Sequence, residues 1–187
     1  MTADEKRAKL YPVILCEYNP AWPEWFAAEK TNLERLVGEG IIARINHIGS
    51  TAVPGLISKP TVDILLEINE TADTDHIIAA LPPPEYICLD RTMLTISTPP
   101  PHLMFLKGYT PSGFAEKVFH IHVRYPGNWD ELYFRDYMIT HPKAAARYAA
   151  LKRELGLAFK FDRDGYTKAK SVFINEIMQK AKESVVI

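Results

Sequence analysis

The chain has 187 residues, 47% of them apolar and 24% charged, and a formal net charge of −1. That length suits about one domain, and the composition excludes global disorder. A balanced charge excludes bulk electrostatic capture of nucleic acid.

In chain order, residues 1–10 read as a charged tail or a first helical turn, and Val13-Ile14-Leu15 as a short strand. After the turn Asn19-Pro20-Ala21-Trp22-Pro23, apolar residues at 22, 25, 26, 33, 36 and 37 fall at helical spacing, and Gly38 and Gly40 stop the helix. Ile41, Ala43 and Ile45 alternate with Arg44 and Asn46, the pattern of a strand over 41–48. Gly49-Ser50-Thr51 breaks that strand, and an irregular or helical piece covers 52–56. Lys59-Pro60 then restarts extended chain toward a strand over 62–68. A short helix over 71–80 takes Thr71 or Asp73 as its cap and ends at Pro82-Pro83-Pro84. Strands are expected at 86–89, 92–97, 103–106 and 118–123. Helices are expected at 129–140, from Pro142 to about 155, and at 166–181, with a turn at Asp164-Gly165. The order predicts one α+β domain over residues 1–187, a mixed sheet with helices packed on it and a helical C-terminal region.

Cys16 and Cys88 form no Cys-x-x-Cys pair and suggest no disulfide framework, so buried free thiols in a reducing cytoplasm are expected. No signal peptide is visible in MTADEKRAKL. The longest apolar-rich run, 62–68, carries Asp63 and Glu67 and is far short of the ~20 residues of a membrane span. Residues 130–187 hold 11 basic and 8 acidic side chains, an excess too small to name a partner.

The chemistry concentrates in His47-Ile48-Gly49-Ser50-Thr51 and Lys59-Pro60-Thr61-Val62-Asp63-Ile64-Leu65. Gly49 allows a tight turn and close approach to a ligand. Ser50 offers a hydroxyl and a backbone N–H at a helical start, a setting suited to phosphate. Asp63 lies mid-strand among apolar residues, where a carboxylate needs a partner or a metal. Residues two apart on a strand share a face, roughly 6.5 Å apart. By that rule the companion of Asp63 is Leu65, not an acid, and Glu67 is roughly 13 Å away along the strand.

These segments closely resemble the GrpB family of bacterial proteins. The resemblance extends to Tyr18-Asn19-Pro20-Ala21-Trp22-Pro23, His120-Ile121-His122-Val123, Phe134-Arg135-Asp136-Tyr137, His141-Pro142, Tyr148 to Leu151, and Tyr166-Thr167-Lys168-Ala169-Lys170 with Phe173-Ile174. It implies a nucleotidyltransferase-like core, a superfamily that grips nucleotide phosphates with Gly-Ser and holds metals on an Asp-x-Asp/Glu pair plus a third acid. It also implies a link to dephospho-CoA kinase, to which family members are fused in some bacteria. Ser50 and Asp63 match that pattern, whereas Leu65 replaces the second acid and 119–123 offers histidines in place of the third.

His120 and His122 face one side of their strand and, with Asp63, make a two-histidine, one-carboxylate set. Such a set suits Zn²⁺ or Fe²⁺ better than Mg²⁺, and His47 is a candidate fourth group. The alternative is a direct His–carboxylate pair without metal. Gly49, Ser50, Thr51, Lys59, Arg44 and Arg124 are the candidate phosphate contacts, Arg44 and Arg124 foremost, because guanidinium is the better bidentate clamp. Arg91 and Lys107 sit in or beside expected strands as weaker candidates, and Lys168 and Lys170 read as the solvated face of the last helix. Three functions remain open at this point. One is a nucleotide- or phosphate-ligand protein with metal-dependent nucleotidyl transfer. The others are a degenerate binding or regulatory module and a His/Asp metal-dependent hydrolase. No membrane partner is expected.

Overall fold

A computed structural model describes residues 3–89 and 99–185. The charged start forms α1 (Ala3–Leu10). Helix α2 (Trp22–Val37) carries Pro23 in its first turn and ends at Gly38, as its apolar spacing predicts. Strands β1 (Ile42–Ile48) and β2 (Thr61–Ile68) flank a single 3₁₀ turn at Ser50–Ala52. Helix α3 (Thr74–Ala80) is capped by Asp73, whose carboxylate accepts from the Asp75 N–H. Strands β3 (Tyr86–Leu89), β4 (Leu103–Thr110) and β5 (Gly113–Arg124) complete the sheet, the last two longer than their apolar cores suggest. Helices α4 (Asp130–Thr140), α5 (Pro142–Ala158), α6 (Arg163–Ala169) and α7 (Ser171–Val185) follow.

The sheet is mixed, in the order β1-β2-β5-β4-β3, with β2 and β5 parallel and every other pair antiparallel. One face carries Val62, Ile64, Leu66, Ile68, Phe119, Ile121 and Val123 and packs on Trp22, Leu33 and Val37 of α2. A second apolar cluster holds the C-terminal helices together through Phe134, Met138, Tyr148, Phe173, Ile177 and Met178, with Val53 and Leu56. The fold class is therefore α+β, as expected, and no helix among the described residues is long and apolar enough to cross a membrane.

Three expectations change. Val13-Ile14-Leu15 is not a strand: the Val13 N–H donates to the Lys160 carbonyl, and only Cys16 makes a bridge, to Ser58. Gly165 does not mark a turn outside a helix. Asp162 caps its N–H at 2.8 Å, which starts α6 and splits the expected last helix in two. In β1, Ala43 is an extra residue between the pairs Ile42↔Ile68 and Arg44↔Glu67, so Ile42 rather than Ala43 shares a face with Ile45. The strand expected at 92–97, and Arg91, lie outside the described residues.

Candidate functional site

Strand β1 ends against Gly49, whose φ is +73°; a Cβ there would lie 2.6 Å from Asp63 Oδ2. Glycine alone lets the Gly-Ser turn close onto the carboxylate. The parallel register sets Asp63 beside His120, Leu65 beside His122, and Glu67 beside Arg124, on the face opposite α2. Asp63 Oδ1 lies 3.2 Å from His120 Nδ1 and 3.6 Å from His122 Nε2. Burial opposes the Asp63 charge, but the two imidazoles outweigh it and hold the carboxyl well below the usual range. Burial pushes the His120 imidazole down as well, against the pull of Asp63.

His120 is fixed from its other side. Tyr109 Oη lies 2.7 Å from His120 Nε2 and accepts from Arg163 Nη2 at 3.0 Å. Because the guanidinium can only donate, the phenol is free to donate to Nε2, which leaves Nδ1–H facing Asp63. Tyr109 reaches this face because the register breaks at Gly108. Lys107, two residues earlier, turns the other way to Glu29 and Tyr86.

Asp63 and His120 line a cavity of about 340 Å³ with Ser50, Lys59, Lys152, Arg163, Asp164 and Lys170. Among the described residues none of these four cations forms an ion pair. Lys59 and Lys170 lie over the Tyr166 ring, at 5.8 and 4.4 Å, and Lys152 lies 4.5 Å from the Tyr148 centroid. Lys152 is only 2% exposed and its Nζ has no hydrogen-bond partner among the described residues. Burial, reinforced by the neighbouring cations, pushes Lys152 down to about 7 and Lys59 to about 8. Lys170 is lowered for the same reason. Cations that repel one another in a polar cavity, without an ion pair among the described residues, could neutralise an anion there.

Of the expected site residues, the structure brings together Gly49, Ser50, Lys59, Asp63, His120 and His122. It does not bring Thr51, Arg44 or Arg124 to the cavity. Thr51 is buried, its hydroxyl donating to the Thr61 carbonyl and meeting His47 Nε2. Arg44 is bound bidentately to Glu67 and donates to the Gly127 carbonyl. Arg124 is buried over Trp129, 5.7 Å from its ring, and reaches Glu131 at 4.0 Å. His47 is no fourth ligand: it faces α2, stacks on Phe26 at 4.9 Å, and burial pushes it down to about 4. Lys107 serves the α2 side. Lys170, expected on a solvated face, lines the cavity, Lys152 and Arg163 join it unforeseen, and Tyr109 meets its edge through His120. One signal for Lys152 exists: it stands one turn after Tyr148 on the apolar side of α5.

The donor set can hold a metal. The three ligand atoms lie within 4.8 Å of one another. A tetrahedral ion with bonds of about 2.0–2.1 Å sets its ligands roughly 3.3 Å apart, which the 3.2 and 3.6 Å separations match. Two imidazoles and one carboxylate favour a transition metal over Mg²⁺.

The family model described as GrpB protein matches residues 12–180. The chain belongs to the GrpB family. A UPF0157 protein of Pseudomonas aeruginosa is 34% identical over 183 residues, covering 96% of this chain and 69% of the relative. The crystal structure of the conserved protein GrpB from Enterococcus faecalis superposes with a TM-score of 0.77 at 28% identity, covering 93% of this chain and all of that one. A dephospho-CoA kinase of Mycolicibacterium paratuberculosis is 24% identical over 188 residues, spanning 91% of this GrpB chain but only 46% of the kinase.

Proposed function

We propose that this GrpB protein binds a nucleotide or other phosphate-bearing ligand beside a single divalent ion. The carrying observation is the buried, unpartnered Lys152 ammonium among Lys59, Arg163 and Lys170, next to the Asp63–His120–His122 donors. Lys152, Lys59 and Lys170 act as point charges on phosphate oxygens, Arg163 as a fork, and the Ser50 hydroxyl as a neutral donor. Asp63, His120 and His122 hold the ion, with Zn²⁺ favoured by the imidazoles. When bound, such an ion supplies Lewis acidity at a phosphoryl oxygen. For His120 to ligate through Nδ1, that nitrogen gives up its proton and Nε2–H turns to the Tyr109 oxygen, which accepts as readily as it donates. The kinase relative is in keeping with a phosphate ligand. Two-ion nucleotidyl transfer has little support, since Leu65 is fully buried and Glu67 is taken by Arg44. Single-ion transfer or hydrolysis is the chemistry we assign. The same Leu65 favours a second reading, a binding module without turnover.

Thermal unfolding with Zn²⁺, Mn²⁺, Mg²⁺ and tripolyphosphate, on wild type and Asp63→Ala, tests the site. Stabilisation of the wild type by Zn²⁺ that is absent from Asp63→Ala supports the metal set. No shift from any probe overturns the whole reading. Binding of nucleoside triphosphates without released product, in the presence of Zn²⁺, selects the module.

A further inference from the structure

A second chamber of about 560 Å³ opens next to the cationic cavity and shares His120, Arg163 and Asp164 with it. Its character is different: Ala8, Tyr11, Leu106, Tyr109 and Phe161 give it apolar and aromatic walls. Phe161 is half exposed at its edge, with Lys160 Nζ 5.4 Å from its ring. The Arg163 guanidinium stands at the junction, 5.8 Å from the Tyr109 ring and 5.4 Å from that of Phe114. We infer that the two chambers hold one ligand, its phosphates among Lys59, Lys152 and Lys170 and a planar aromatic ring against Phe161 and Tyr11.

This rests on the phosphate-site reading and adds the class of the ligand's other end. Aromatic side chains accept heteroaromatic rings by stacking, a contact that tolerates different bases because every base has a π-face. Asp164, exposed and lining both chambers, has no ion pair among the described residues and is placed to accept hydroxyl groups of a linking sugar. Phosphate, hydroxylated linker and planar ring together describe a nucleoside phosphate rather than a bare polyphosphate or a sugar phosphate.

Calorimetry with tripolyphosphate and with the four common ribonucleoside triphosphates, in one Zn²⁺ buffer, separates head from ring. Wild type should bind at least one nucleoside triphosphate about tenfold tighter than tripolyphosphate. Phe161→Ala should remove on the order of tenfold of that preference and leave tripolyphosphate binding unchanged, as should Phe161→Leu, which keeps the bulk and loses the ring. Equal binding of tripolyphosphate and nucleotides, or a preference that survives both variants, overturns the ring site while the phosphate site stands. If neither probe binds wild type, the parent reading falls and this inference falls with it. Base-to-Phe161 nuclear Overhauser contacts give a readout independent of affinity, and their absence in a bound complex also overturns the assignment.

Discussion

Asp63 and Glu67 lie on the same face of the same strand, four residues apart, and the protein treats them in opposite ways. Glu67 is completely buried and completely answered, by the Arg44 guanidinium, the Gly127 N–H and the Trp129 indole N–H. Asp63 is partly open and faces imidazoles, with four cations beyond them that form no ion pair among the described residues. A buried charge whose partners are all supplied by the chain is a structural element. Four cations around open space, one of them without a hydrogen-bond partner among the described residues, are what the proposed phosphate site would draw on.

This contrast breaks most visibly at Arg44. Arg44→Ala leaves the buried Glu67 carboxylate without its counter-ion and should cost about 3 kcal/mol in urea unfolding, with tripolyphosphate affinity unchanged. A tenfold loss of affinity would return Arg44 to the ligand and erase the division between the two acids. At the other acid, Zn²⁺ at 100 times its dissociation constant should stabilise wild type by about 2.7 kcal/mol and leave Asp63→Ala where it was, read by thermal shift. Lys152→Met sharpens the contrast because its sign is reversed. At pH 6 it should raise stability by about 2 kcal/mol, by removing a buried unpartnered charge. Tripolyphosphate binding should weaken at least tenfold in the same variant. A variant that is both less stable and equally good at binding would make Lys152 a packing residue. The smallest effect is in pH. Lys152 and Lys59 are lowered to about 7 and about 8, and an anion favours their charged forms. Sulfate binding should therefore take up protons, and its affinity should fall as pH rises through 7–8, by about tenfold in calorimetry. The same depressed lysines bind fewer protons folded than unfolded between about 7 and 10.5. Their contribution to stability is complete above 10.5 and lost as pH falls through 7.

The sheet half of the site was legible in the sequence, and the helical half was not. Asp63 in an apolar strand is out of place on its own terms, and His120 with His122 declares a shared face by spacing alone. Gly49-Ser50 sits where a strand must turn. No such conflict marks Arg163 or Lys170, which on a helix pattern look like any solvated cation; only the docking of α6 beside Asp63 turns them inward. Arg44 and Arg124 misled for the complementary reason. Their strand positions suggest a phosphate clamp, but Glu67 lies across from Arg44 and Trp129 closes over Arg124. Cross-strand register decides this, and alternation along one strand does not reveal which residue of the neighbouring strand lies opposite. Lys152, Arg163 and Lys170, three of the four cavity cations, all come from the weakly basic residues 130–187.

Gly108 amounts to a phase slip in an otherwise regular wave. Up to Lys107 the side chains of β4 keep the two-residue beat, and after it they run half a period late, which is why Tyr109 and Lys107 serve different faces. The slip needs a φ of +84° and a space that a Cβ would share with the Lys117 carbonyl oxygen at 2.2 Å. A side chain at 108 would pull the wave back into step and swing the Tyr109 phenol away from His120. The orientation of an imidazole in the middle of the sheet is thus timed by a residue that never touches it.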